Sequence, residues 1–115
     1  MYLCIYVFRI YIPHYNSSFF FEDIMYEITD YTYRKAHELG VKVVPSVNSK
    51  KKIDIWKDGK RIASVGAYGY MDFGKYLEKE GEAYAKERRR LYKLRHIKDR
   101  TKVGSNGWWS DNLLW

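Results

Sequence analysis

The dipeptide Asp58-Gly59 constrains the fold most, because it separates two strand-like runs, residues 53–56 and 61–65. A two-residue hairpin connection of type I′ needs positive φ at both central positions, and Asp-Gly meets this need at little steric cost. The sequence therefore predicts an antiparallel β-hairpin at the centre of the chain.

The turn also predicts a register, since residues pair outward from it. The expected cross-strand pairs are Lys57 with Lys60, Trp56 with Arg61, Ile55 with Ile62, and Ile53 with Ser64. Ile53, Ile55 and Ile62 are then expected on the core face. Trp56 and Arg61 share the other face, either as a cation–π pair or as two solvated side chains.

Three segments with helical spacing are expected to cover the hairpin. The first is 31–39, with Thr29 or Asp30 as N-cap and Gly40 as the left-handed stop. The second is 73–80, capped by Asp72, and the third is a long helix at 82–98. On the third helix, the expected apolar side consists of Tyr84, Leu91, Leu94 and Ile97.

The 115-residue length and the balance of 46% hydrophobic and 30% charged residues fit one small folded domain. We predict an α+β fold at 25–103, with the hairpin extended by one or two short strands such as 41–44, and an aromatic tail at 104–115. Residues 1–24 are an apolar extension, predicted to be a strand. Its run 1–12 is too short for a membrane helix, which needs about 20 apolar residues. An alternative is that the native chain starts at Met25.

Basic residues are concentrated near the C-terminus, and they account for the formal net charge of +7. Nine of them lie between Lys86 and Lys102, where the acidic residues are Glu87 and Asp99. The expected anion-binding residues are Arg88, Arg89, Arg90, Lys93, Arg95 and Arg100. Phosphate contact without reading of base sequence is one interpretation, and a surface that is solvated or faces acidic protein is the other.

Aromatic residues make up 18% of the chain, and three of the four tryptophans lie in the last eight positions. Aromatic side chains and arginine are enriched at the energetic centres of protein interfaces. The expected partner-binding residues are therefore Trp108, Trp109, Leu113, Leu114 and Trp115. The alternative is that this tail folds back onto the core of its own domain.

Residues for catalysis or metal binding are sparse. Cys4 is the single cysteine, so neither an internal disulfide nor a cysteine-based zinc site can form. His14, His37 and His96 lie in three separate segments without metal-ligand spacing. The sequence predicts no enzyme, no catalytic residue, no metal, no cofactor and no small-molecule substrate.

From residue 25 onward the chain resembles small proteins of nucleocytoplasmic large DNA viruses, the giant-virus class that includes algal viruses. The segments that carry the resemblance are YEITDYTYRKAHELGV (26–41), KIDIWKDGKRIASVGA (52–67), YMDFGKYLEKEG (70–81), YAKERRRLYKLRHIKDR (84–100) and GSNGWWSDNLLW (104–115).

The resemblance implies a virion structural role, as a minor capsid protein or capsid-associated component that cements neighbouring virion proteins. It places the chain in the virion, and in the host cytoplasm or nucleus during assembly. The alternative function is nucleic-acid binding through the basic helix, in viral genome packaging or core association.

Overall fold

The computed structural model describes residues 25–115, so the strand predicted within residues 1–24 lies outside the described residues. In chain order the elements are α1 (Asp30–Leu39), β1 (Lys42–Pro45), β2 (Lys51–Lys57), β3 (Lys60–Ala67), α2 (Phe73–Glu80), α3 (Glu82–Arg95) and α4 (Asn106–Leu114). The strands form one antiparallel sheet in the order β1-β2-β3. The α+β fold with a central hairpin is therefore confirmed.

The turn of the hairpin has the predicted conformation, with φ of 53° at Asp58 and 76° at Gly59. The two pairs nearest the turn, Lys57 with Lys60 and Trp56 with Arg61, are also as predicted. Beyond them the register shifts between Ile55 and Trp56. The turn chemistry therefore determines only the first two pairs of the hairpin.

The shift corrects the remaining predicted pairs. Ile55 lies opposite Ala63, and Ile53 lies opposite Val65, so the predicted partners Ile62 and Ser64 are wrong. Ile62 is the extra residue of β3 at this irregularity and is 41% exposed, whereas Val65 takes the core position.

The new register places Ser64 opposite the buried Asp54. The hydroxyls of Ser64 and Ser46 donate to Asp54 Oδ1 at 2.5 and 2.7 Å. Arg61 Nη1 lies 3.6 Å from Asp54 Oδ2, so the described partner of this guanidinium is a carboxylate. Burial alone would raise the pKa of Asp54, but the hydrogen bonds outweigh it, and the pKa lies below its usual range.

The helix ends follow the capping residues. Thr29 accepts a hydrogen bond from the Thr32 N–H at the start of α1, and Gly40 ends this helix with φ of 72°. Asp72 accepts from the Lys75 N–H at the start of α2, and Gly81 separates α2 from α3. The predicted bounds 73–80 are confirmed, and α1 begins one residue earlier than predicted.

The core lies between one face of the sheet and helices α1 and α4. Its buried members are Tyr26, Ile28, Ala36, Val43, Ile53, Ile55, Val65, Leu113 and Leu114. The hydroxyl of the fully buried Thr32 donates to the Leu113 carbonyl oxygen at 2.8 Å and links α1 to α4. Segment 104–115 therefore packs on the domain, as in the alternative in which the tail folds back.

Helix α3 ends at Arg95 rather than at residue 98, and the face that it buries differs from the predicted one. Its buried residues are Ala85 and Tyr92, two turns apart. Three residues of the predicted apolar side are exposed: Leu94 (59%), Ile97 (52%) and Tyr84 (48%). Tyr92 is buried in their place because its ring stacks on that of Trp115.

Candidate anion-binding cleft

Basic side chains of helix α3 contact helix α2 and the C-terminal segment 106–115. Lys93 Nζ lies 2.7 Å from Asp111 Oδ1 on α4. The Arg89 guanidinium carbon lies 4.0 Å from the centroid of the Phe73 ring, and its Nη1 donates to the Trp115 carbonyl oxygen at 3.4 Å. Two of the predicted anion-binding residues, Arg89 and Lys93, are therefore engaged within the chain itself.

Other predicted anion-binding residues also have partners within the chain. The guanidinium carbon of Arg88 lies 5.6 Å from the centroid of the Tyr76 ring. The Nε of Arg100 donates to the Lys93 carbonyl oxygen at 3.0 Å. Exposed Arg90 pairs with Glu87 on the same helix at 2.7 Å. Arg95 is exposed, and among the described residues it makes neither an ion pair nor a cation–π contact.

The predicted partner-binding residues of the tail pack inward. Leu113 and Leu114 are 0% and 2% exposed in the core, and are thus inaccessible to a partner in this conformation. The rings of Trp108 and Trp109 meet edge to face at 4.9 Å, and both residues are half-buried. Trp115 stacks on Tyr92 with a centroid distance of 4.3 Å and an interplanar angle of 9°.

A cleft of about 510 Å³ lies between the β2–β3 sheet and the segment that connects α3 to α4. Three lysines line it from two directions: Lys51 at the start of β2, and Lys98 and Lys102 after α3. We call these three residues the cleft lysines. Lys51 is half-buried and the other two are exposed, and none of them has an ion pair with a residue in 25–115.

Another lysine in the cleft wall, Lys52, has a structural role. Its side chain is 3% exposed, and its Nζ lies 2.9 Å from Asp72 Oδ2. The Tyr26 hydroxyl donates to the same oxygen at 2.5 Å. Burial lowers the pKa of Lys52 and raises that of Tyr26, and the Asp72 charge opposes the first shift and adds to the second. Asp72 thus neutralises Lys52 inside the fold.

Aromatic rings form a column along the cleft. His96 lies against Tyr92 with a centroid distance of 4.4 Å and an interplanar angle of 31°, and Trp115 stacks on Tyr92 at 4.3 Å. All three residues line the cleft. Nδ1 of His96 is 3.7 Å from Oδ2 of Asp99, an exposed acidic residue that also lines the cleft.

Sequence reasoning identified the basic segment but missed the cleft. Lys51 begins β2, and Lys98 lies beyond the end of α3 at Arg95 rather than within the predicted helix 82–98. The sequence does show a run of three lysines, Lys50–Lys51–Lys52, but Lys98 and Lys102 lie about fifty residues further along the chain. Only the folded chain shows that Lys51 lies at the same cleft as Lys98 and Lys102.

In 25–115 no three His, Cys, Asp or Glu side chains are arranged to hold a metal ion. None of the described helices has the length and apolar character needed to span a membrane. Comparisons with protein-family models, curated proteins and solved structures find no match to this chain.

Proposed function

We propose that the protein is a non-enzymatic nucleic-acid-binding module that contacts phosphate groups through the cleft lysines. The observation that carries this proposal is that Lys51, Lys98 and Lys102 surround one cleft without ion pairs among the described residues. By contrast, Arg88, Arg89 and Lys93 are engaged by neighbouring side chains.

Electrostatics favour a polyanion as the partner. The formal charge of +7 attracts nucleic acid over distances of about one Debye length, roughly 8 Å at physiological salt. Lysine ammonium groups bind phosphate as point charges, so contacts of this kind position the protein without reading base sequence. We therefore expect sequence-independent binding that weakens steeply with salt.

Within the viral hypothesis, the cleft supports association with the genome more than cementing of capsid proteins. The cementing role depends on a tail that is free to bind neighbours, and in the structure Leu113, Leu114 and Trp115 of the tail pack against the chain itself. Viral genome packaging or core association needs only an accessible basic surface. We propose this form of the virion role, with DNA as the partner.

The test is fluorescence anisotropy of a labelled random-sequence DNA, titrated with the full chain from about 50 to 200 mM salt. The test variant is Lys51→Gln/Lys98→Gln/Lys102→Gln. Its matched control is Lys42→Gln/Lys57→Gln/Lys60→Gln, three exposed lysines at the hairpin end of the sheet. Both variants lower the net charge by three, so they differ only in where the charge is lost.

The proposal expects the cleft variant to bind more weakly, with a log–log salt slope reduced by about 0.9 for each lost phosphate contact on B-form DNA. The control variant should retain most of the slope. Equal losses in the two variants would show that only net charge matters, and would overturn the assignment to the cleft. Absence of wild-type binding at the lowest salt would overturn the function itself.

A further inference from the structure

The column of rings in the cleft ends at His96. One face of its imidazole lies against Tyr92, which is in turn covered by Trp115. The His96 side chain is nevertheless 38% exposed. Because His96 lines the cleft, a ligand in the cleft can contact the side of the ring that faces away from Tyr92.

The surroundings of this ring fit a nucleotide. Lys98 and Lys102 follow His96 closely in the chain, and Lys51 approaches from the sheet. A planar base stacks on an aromatic ring, and the phosphates on either side of that base need cations. The cleft volume of about 510 Å³ lies within the usual range for sites that hold a small ligand.

We propose that the cleft binds single-stranded nucleic acid, with one unpaired base stacked on the outer face of His96 and the adjoining phosphates at the cleft lysines. In a duplex the base faces are covered by neighbouring bases, so a duplex reaches the lysines but not the ring. This inference rests on the proposed function, since it takes the same lysines as the phosphate contacts. It adds a preference for single strands.

The experiment compares a labelled single-stranded oligothymidine with a labelled duplex of equal length, by anisotropy at one low salt concentration. The variants are His96→Ala, which removes the ring, and His96→Phe, which keeps an aromatic face. His37→Ala is the matched control, because His37 is exposed on α1 and does not line the cleft. Circular dichroism melting of each variant checks that it is folded.

Wild-type protein should bind the single strand more tightly than the duplex. His96→Ala should weaken single-strand binding about tenfold, within the range measured for loss of one stacked base, and leave duplex binding unchanged. His96→Phe should restore single-strand binding, and His37→Ala should have no effect. Restoration by Phe separates stacking from any role of the imidazole nitrogens.

Two results would overturn the stacking site while leaving the proposed function intact. One is salt-dependent binding that is equal for the single strand and the duplex. The other is a His96→Ala variant that is folded and binds the single strand as the wild type does. If His96→Ala is unstable, the single-strand affinities of His96→Phe and the wild type are compared instead. Near-equal affinities support a stacked ring. A weaker affinity of His96→Phe indicates a contact through an imidazole nitrogen and overturns the stacking site. Absence of binding to either probe would overturn the function and the stacking site together.

Discussion

Lys93 and Asp111 form an ion pair of 2.7 Å between helices α3 and α4. Asp111 is largely buried, and its second oxygen lies 4.0 Å from Arg100 Nη1. The pair therefore anchors the aromatic helix to the basic helix. It explains why Lys93, which the sequence assigns to an external anionic partner, is unavailable to one: its carboxylate partner lies in the same chain.

Replacing Asp111 with alanine should destabilise the protein by about 1–2 kcal/mol, because it leaves the half-buried Lys93 without its carboxylate. Urea denaturation gives the free energy of unfolding. Glu87→Ala is the control, since it breaks the exposed Glu87–Arg90 pair on the surface of α3 and should change the stability little. Equal effects of the two substitutions would contradict an anchoring role for Asp111.

Leu114 tests whether the C-terminal helix belongs to the core. Leu114→Ala should cost about 2–5 kcal/mol, because it opens a cavity in the core cluster to which Ile53 and Val65 also belong. Leu94→Ala is the same substitution at the exposed residue that the sequence assigns to the apolar side of α3, and should lie within about 0.5 kcal/mol of the wild type. Thermal and urea unfolding measure both. A tail that merely docks on partners predicts no loss for Leu114→Ala.

The sequence predicts local structure well where one or two residues determine it. Asp58-Gly59 specifies the turn, and Thr29, Gly40 and Asp72 specify helix ends, because each acts through its own backbone conformation or a hydrogen bond to a nearby amide. These features depend on neighbours within about four residues, so a local pattern is sufficient to find them.

The orientation of α3 depends on distant partners instead. The spacing of Leu91, Leu94 and Ile97 indicates an apolar side, yet the helix buries Ala85 and Tyr92. The reason is that the guanidinium groups of Arg88 and Arg89 lie over aromatic rings of α2, and the Lys93 ammonium group pairs with Asp111 on α4. A hydropathy pattern counts such residues as solvent-facing, so neither the orientation nor the cleft was predictable from it.

Gly66 lies where β3 passes close to the core, with φ of 86°. A Cβ at this position would lie 2.8 Å from Leu114 Cδ1 and 3.0 Å from Lys52 Cβ. Gly66→Ala should therefore destabilise the protein by about 2–4 kcal/mol, from backbone strain and overpacking combined. Gly69→Ala is the control, because Gly69 also has positive φ but has open space around its missing Cβ. Its smaller loss measures strain alone, and equal losses would argue against the close contact.

The buried group of Tyr26, Lys52 and Asp72 makes stability depend on alkaline pH. Burial, and then the Asp72 charge and hydrogen bond, raise the pKa of Tyr26 far above its usual value of about 10, and the Glu78 charge adds to the shift. The folded state thus keeps a proton that the unfolded chain releases. This contribution to stability is complete below pH of about 10 and is lost as the pH rises further.

Lys52 acts in the opposite direction over a lower range. Burial lowers its pKa, partly offset by Asp72, and the nearby Lys75 charge adds to the lowering. Between the pKa of Lys52 in the folded state and its unfolded pKa of about 10.4, the unfolded chain binds more protons than the folded one. The free energy of unfolding therefore rises with pH across this range. Above this range the tyrosines dominate, since burial also raises the pKa of Tyr92 and of the half-buried Tyr31.

Tyr26→Phe should therefore reduce the alkaline pH dependence of stability. Above pH of about 10.5, the free energy of unfolding of the wild type should fall by up to about 1.4 kcal/mol per pH unit for each tyrosine that stays protonated only in the folded state. Urea denaturation at several pH values measures the slope, which is the readout because the variant also loses the hydrogen bond to Asp72 at every pH. The slope of Tyr26→Phe should be shallower by an amount that corresponds to about one proton fewer released on unfolding. Tyr70→Phe is the control: the Tyr70 ring is exposed, so the slope of this variant should match that of the wild type. A Tyr26→Phe slope equal to that of the wild type would show that the Tyr26 hydroxyl ionises equally readily in both states, contrary to its burial beside Asp72.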